Sequence, residues 1–233
     1  MTTVAVLQPG YLPWLGYFEL MRSADVFVLY DDVQYDKHGW RNRNRVKCEQ
    51  GVQWLTVPVR HHQLGRPRIL DVELDASKAW ARKHIATIRQ CYARASHLEP
   101  YVSELETLLG RPWQRLVDLD IAVADLLARW LGVEATTVCS SELNVTGSRN
   151  ERLVSICRAF GADRYRSGEA AKEYLDVELF DRSGIAVEWQ NLDHPVYPQL
   201  HDGFVSHLSA LDMILNCGED SAALLAAAGT RQE

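Results

Sequence analysis

The sequence predicts an α/β protein: a parallel sheet flanked by helices, with a helical insertion between two halves of the sheet. Three observations carry that expectation. The chain opens as strand, turn, helix and strand, the order of a right-handed βαβ unit with parallel strands. A helical stretch from residue 80 to about residue 129 then interrupts the strands. After it, short strands and helices alternate again.

Residues 4–7 form a β-branched-rich run that stops at Gln8-Pro9-Gly10. Residues 15–22 read as a helix and residues 25–30 as the second strand. Residues 54–59 and 69–74 read as a strand pair, with Pro58 marking an edge. The helical stretch divides near Glu99-Pro100 and near Gly110-Arg111-Pro112. Residues 136–138 return to strand, 148–160 to helix, 164–166 to strand, 170–180 to helix and 185–189 to strand. A closing helix covers 207–217, and the Ala-rich tail from Ala222 is expected to fray. The division expected is an N-terminal α/β half with the strand pair (1–78), the helical insertion (79–133), a C-terminal α/β half of the same domain (134–220) and a flexible tail (221–233).

A chain of 233 residues, 47% hydrophobic and 24% charged, can bury a full core. Its net charge of −6 argues against a nucleic-acid partner bound by bulk electrostatics. The longest apolar stretches are too short and too interrupted to span a bilayer, so a cytoplasmic protein with no membrane partner is expected. Five cysteines, odd in number and scattered without CxxC spacing, argue against a disulfide framework or structural zinc. Cys91, Cys139 and Cys157 sit in apolar patterns and read as core fillers. No HExxH or carboxylate/His set appears, so no tightly bound metal or cofactor is expected. Oligomeric state is not set by these residues.

The densest chemistry lies at residues 34–45, Gln-Tyr-Asp-Lys-His-Gly-Trp-Arg-Asn-Arg-Asn-Arg, just after the second strand. Arg forks, Asn amides and an indole together suit the grip of a polar, anionic small molecule. In a parallel sheet ligands bind beyond the carboxyl ends of the strands, where this cluster and Gln8 to Tyr11 both fall. The plainer alternative is a basic surface loop pairing with Asp25, Asp31 and Asp32. Trp40, between Gly39 and Arg41, can stack on a sugar, base or guanidinium, whereas Trp14, Trp54, Trp80, Trp113, Trp130 and Trp189 read mostly as core. Ser167-Gly168, after a strand and before an expected helix carrying Lys172, could hold an anion or simply start the helix. Ser148 with Glu151 has capping-box spacing, while Arg149 and Arg152 sit poorly against a helix dipole unless an anion joins them. Among the histidines, His84, near Arg82 and Arg89, and His207 are candidate bases, and structural roles are the alternative for both. His61-His62 reads as an exposed loop pair.

Four stretches make the chain resemble the WbqC-like family. They are residues 8–18 (Gln8-Pro9-Gly10-Tyr11 onward), Tyr30-Asp31-Asp32-Val33-Gln34 with Trp40-Arg41-Asn42-Arg43-Asn44-Arg45, Tyr165-Arg166-Ser167-Gly168 with residues 171–175, and Tyr197-Pro198-Gln199 through Phe204 to Asn216. The resemblance implies a place among O-antigen or other natural-product biosynthesis, in sugar or small-molecule tailoring. The opening is also similar to that of HIGH-type nucleotidyltransferases such as pantothenate synthetase. That similarity implies a Rossmann-like, HUP-type sheet and ATP with magnesium as a co-substrate. Trp14-Leu15-Gly16-Tyr17 stands where those enzymes carry His-x-Gly-His, so both phosphate-facing imidazoles are replaced.

The function expected is an acyl or aminoacyl transferase or ligase acting on an amine, with a nucleotide-sugar or amino acid among its substrates. The alternative is a non-catalytic carrier of a nucleotide-sugar or intermediate. His84, His207 and Asp32 are the expected catalytic groups. Gln8, Tyr11, Gln34, Trp40, Asn42, Arg43, Asn44, Arg45 and Gln199 are the expected substrate contacts. Arg149, Arg152, Ser167, Gly168 and Lys172 are the expected anion or nucleotide contacts.

Overall fold

Five short strands, four of them rich in Val, Ala, Leu or Thr and the other reading Arg-Tyr-Arg-Ser, line up in one parallel sheet in this computed structural model, which describes residues 1–60 and 65–229. The chain runs β1 (Thr3–Leu7), α1 (Leu15–Arg22) and β2 (Val26–Leu29), the expected βαβ unit. It then makes a hairpin, β3 (Arg43–Cys48) and β4 (Gly51–Thr56), and a small antiparallel pair, β5 (Val59–Arg60) and β6 (Glu73–Leu74). Three helices follow: α2 (Trp80–Cys91), α3 (Leu98–Leu109) and α4 (Leu116–Trp130). The sheet resumes with β7 (Thr136–Cys139), then α5 (Arg149–Ala159), β8 (Arg164–Ser167), α6 (Val177–Arg182) and β9 (Ala186–Trp189). Helices α7 (Ala210–Cys217) and α8 (Asp220–Ala228) close the chain. His61 and His62 lie outside the described residues.

The sheet order is β7-β2-β1-β8-β9, with every neighbour parallel. This is a Rossmann-like sheet. The chain fills one side of β1 first, with β2 and β7, then crosses to the other side for β8 and β9. The crossover opens a crevice beyond the carboxyl ends of β1 and β8, where ligands bind in such sheets.

Period-2 alternation sends the two faces of the strands into different cores. Ala5, Phe27 and Leu29 join α1, α4 and α7 on one side. Val4, Val6 and Val28 join Val154, Ile156, Cys157 and Phe180 of α5 and α6 on the other. Each fully buried Val, Leu, Ile or Phe among them contributes roughly 1.5–3 kcal/mol.

Several expectations are corrected. Residues 54–59 and 69–74 do not pair along their length: Pro58 divides the first run, β4 pairs instead with β3, and only β5 and β6 meet. The second half of the polar cluster is therefore strand. It turns back at Gly51, whose φ of +105° suits glycine. Residues 170–180 are not one helix: a single 3-10 turn covers Glu169–Glu173, and α6 starts only after Asp176 caps the Leu179 amide at 3.0 Å. Ser148 makes no side-chain cap, so the capping-box reading fails there. The closing helix begins at Ala210, capped by Ser209, and residues 222–228 of the tail expected to fray belong to α8, whose Leu225 is fully buried and which packs on α1 and α7, while residues 230–233 lie outside the described residues. Trp54, expected in the core, is 47% exposed.

The cysteines also depart from expectation. Cys48 at the end of β3 and Cys91 at the end of α2 form a disulfide, while Cys139, Cys157 and Cys217 are free. Burial pushes the Cys157 thiol up to about 12 and, with Asp31, the Cys139 thiol up to about 11, so neither is a ready nucleophile. Thiol titration of the unreduced, denatured protein should count three groups of the five cysteines. A count of five would exclude the Cys48–Cys91 bond.

Candidate functional site

The crevice between the carboxyl ends of β1 and β8 is a cavity of about 650 Å³. Gln8 enters it directly after β1, Ser167 as the last residue of β8 and Gly168 directly after it. Tyr30, one residue past β2, and Arg149 and Asn150, at the start of α5, close it from the neighbouring side. Arg149 takes φ +48°, an uncommon left-handed conformation for a non-glycine residue, at this rim. Asn150 donates to the Tyr174 carbonyl at 3.2 Å and so fixes the 3-10 turn that completes the wall.

Arg41 is the residue of the polar cluster that reaches the cavity. Its backbone is pinned over the end of β1, where its carbonyl accepts from the Tyr11 amide at 3.0 Å. Gly10 makes that approach feasible: a β-carbon there would lie 2.9 Å from the Trp40 carbonyl oxygen. The Arg41 Nε and Nη1 atoms are buried and have no hydrogen-bond partner. Behind it, on α4, Asp120 is fully buried with neither carboxylate oxygen bonded, and the Tyr17 hydroxyl is equally unpartnered. Burial pushes the Asp120 carboxyl well above the ordinary carboxylate value, against the pull of Arg41. Burial lowers the Arg41 guanidinium, opposed by Asp120 and Tyr17, and raises the Tyr17 phenol, helped by Asp120. Arg41, Asp120 and Tyr17 thus form one electrostatic group whose arginine end faces the cavity.

Of the expected residues, Gln8, Arg149, Ser167 and Gly168 line this cavity. Asp32 and Arg152 stand behind its wall. They form an ion pair, Arg152 lies 5.5 Å from the Tyr30 ring, and Ser140 Oγ donates to Asp32 at 2.6 Å. Ser167-Gly168 leads only into the 3-10 turn, so no α-helix dipole supports an anion there. Lys172 points away, pairing with Glu169 at 2.5 Å and lying 5.6 Å from the Trp189 ring.

The remaining expected residues lie elsewhere. Asn42 and Asn44 are buried, donating to the Val57 and Leu12 carbonyls at 2.7 Å each, so their amides brace the hairpin. Tyr11 is fully buried and its hydroxyl lies 3.0 Å from His84 Nδ1. Burial holds His84 down to about 4 despite a bond with the Thr56 backbone, so it stays neutral inside the core. Gln199 donates to Asp212 at 2.9 Å in a buried network. Gln34 is exposed. Trp40, Arg43 and Arg45 share the outer face of the hairpin, and exposed His207 stacks on Trp14 at 5.1 Å. At the second position of the replaced His-x-Gly-His set, Tyr17 turns into the interior beside Asp120.

The reading of residues missed Tyr30, Arg41, Asn150 and Tyr174 as cavity walls and Asp120 altogether. Asp120 did carry a signal: it occupies the same stripe of α4 as Leu116, Val123, Ala124 and Leu127, all buried.

Among the described residues no helix is long and apolar enough to cross a membrane. The model of the WbqC-like protein family matches residues 8–224. The chain is 35% identical over 227 residues to the "Uncharacterized protein Rv1507c" of Mycobacterium tuberculosis (strain ATCC 25618 / H37Rv), covering 95% of this chain and 96% of that protein. No solved structure matches the chain.

Proposed function

From the premise that the chain belongs to the WbqC-like protein family, we propose that the crevice between β1 and β8 is the substrate site of an acyl or aminoacyl transferase or ligase. The observation that carries this reading is Arg41, a cavity-lining arginine with two buried, unpartnered guanidinium nitrogens. Such a group is preset for a carboxylate or phosphate, because it has already lost its water and has nothing else to bind. Arg149 adds a second charge at the rim, and Gln8 and Asn150 offer amides to orient the acceptor. In the transfer step an amine nitrogen attacks the acyl carbon. The new C–N bond replaces the bond to the leaving group, whose negative charge Arg41 and Arg149 stabilise. Asp32 is held behind the wall by Arg152 and does not line the cavity, so the amine proton passes to the departing group or to solvent.

A second reading is a carrier that binds a nucleotide-sugar or intermediate without turnover. One observation favours it: among the described residues no His, Asp, Glu, Lys or Cys lines the cavity itself.

Thermal melting with and without Mg-ATP, and with nucleotide-sugars, tests the site. A ligand at about a hundred times its Kd adds roughly 2.7 kcal/mol, a shift of about 5–10 °C for a chain of this size. Arg149→Ala should abolish that shift and leave the melting point of the free protein within about 2 °C. A shift that survives Arg149→Ala would place the ligand elsewhere. Binding without product formation would select the carrier.

A further inference from the structure

The outer face of the β3–β4 hairpin carries a stack of rings and guanidinium groups that the crevice does not use. The Trp40 and Trp54 rings stack with centroids 5.4 Å apart and planes inclined by 30°. They are 44% and 47% exposed, although Trp is normally a largely buried residue. Arg43 Cζ lies 4.7 Å from the Trp54 centroid, and Arg45 Cζ lies 5.3 Å from Trp40 and 5.7 Å from Trp54.

The two arginines are held without being neutralised. Arg43 donates to the Gly39 carbonyl at 3.3 Å and to the His38 carbonyl at 2.5 Å, and Arg45 to the His207 carbonyl at 3.1 Å. Arg45 Nε is buried with no partner. Among the described residues neither forms an ion pair, although the chain has 31 acidic residues to 25 basic. Carbonyls fix the geometry of a guanidinium and leave its charge for something else.

We propose that this face is a second ligand site, for the nucleoside diphosphate group of a free nucleotide or a nucleotide-sugar. Three features select that class. Indole faces and guanidinium planes both stack on nucleobases, whereas a pyranose ring lacks the π face that a guanidinium needs. Two uncompensated arginines match the charge of one diphosphate better than that of a longer strand. The net charge of −6 disfavours a polyanion on any broad surface. The site stands apart from the crevice and from the transferase reading, since neither Trp ring nor either of these arginines lines that cavity.

Isothermal titration of the full chain with UDP and ADP tests the proposal, with uridine, adenosine and inorganic pyrophosphate as partial ligands. A nucleoside diphosphate should bind at least tenfold more tightly than either the nucleoside or pyrophosphate. Trp54→Ala and Arg43→Gln should each weaken it about tenfold or more, the scale of one lost base stack. Trp54→Tyr should retain most of the affinity, which separates lost stacking from misfolding, and Arg149→Ala should leave it unchanged. A nucleotide-sugar binding as well as its nucleoside diphosphate would support the site and name its source. Pyrophosphate binding equally well, loss only with Arg149→Ala, tighter and steeply salt-dependent binding of a short oligonucleotide, or no binding at all would each overturn it.

Discussion

Asp212→Ala should cost about 3–5 kcal/mol of folding stability, measured by urea denaturation. The carboxylate, on α7, is fully buried and accepts from Tyr92 Oη at 2.6 Å, Tyr197 Oη at 2.9 Å and Gln199 Nε2 at 2.9 Å. The Tyr92 oxygen in turn accepts from the Lys47 amide at 3.2 Å, so one chain of polarised bonds joins β3, α2 and α7. The Lys47 ammonium donates to the carbonyls of His201 and Gly203, and Asp212 is the charge acting with it. Alanine at 212 would strand the two buried tyrosine hydroxyls, each costing about 1–3 kcal/mol when left alone, beside a buried cation, while Gln199 keeps its bond to the Val205 carbonyl. Partial relaxation keeps the sum below the plain total. Asp212→Asn retains one acceptor oxygen for three donors and should lose roughly half as much. If both variants unfold within 1 kcal/mol of the parent, the network holds nothing together.

Arg41→Ala should weaken ligand binding in the crevice by two orders of magnitude or more and also destabilise the free protein by about 3 kcal/mol. Both effects have one origin, since the same side chain lines the crevice and also interacts with the Asp120 charge. The Asp120→Asn background should therefore recover about 1–3 kcal/mol of the stability loss and none of the binding. Costs that simply add would show that the two residues do not share an interaction. The pH dependence has a definite sign. Burial raises the Asp120 carboxyl in the folded protein above its unfolded value of about 4. Its stability contribution is complete below about pH 4 and is lost as pH rises through the folded value, at up to about 1.4 kcal/mol per pH unit. Asp120→Asn should lack that falling limb. An unchanged pH profile would mean that Asp120 titrates as it does in the unfolded chain.

What the sequence disclosed follows from which signals are local. Strands β1, β2 and β9 and the helices of the insertion announce themselves through apolar period and through Pro and Gly punctuation, so the parallel sheet with its helical interruption was legible. Strand β3 was not. Its Arg43-Asn44-Arg45-Val46-Lys47-Cys48 has polar groups on both faces, because Asn44 and Lys47 are buried by hydrogen bonding rather than by apolar packing. Alternation in hydrophobicity cannot register such a strand. The crevice was legible at Gln8, Arg149 and Ser167-Gly168, which sit at strand ends and a helix start. Arg41 was obscured because its neighbours Trp40, Asn42, Arg43 and Arg45 are of the same chemical kind, and only the pinning of its backbone over β1 sets its direction. The Cys48–Cys91 bond joins residues 43 apart with no spacing motif, a pairing that only the packing of α2 on the hairpin makes evident.

The crossover between β1 and β8 also has a consequence in time. Thr3 aligns with Arg164, 161 positions later, whereas Val4 aligns with Val26 after a short helix. On a ribosome adding about 5–20 residues per second, the wall carried by β8 emerges roughly 8–30 seconds after β1. During that interval β1 has a partner on one edge only, and its other edge presents free backbone groups to any passing strand. The cavity wall that joins the two strands is then among the last features to close. A nascent chain arrested before Arg164 should accordingly be protected from proteolysis in the β1–β2 unit and the helical insertion while still lacking any affinity for ligand.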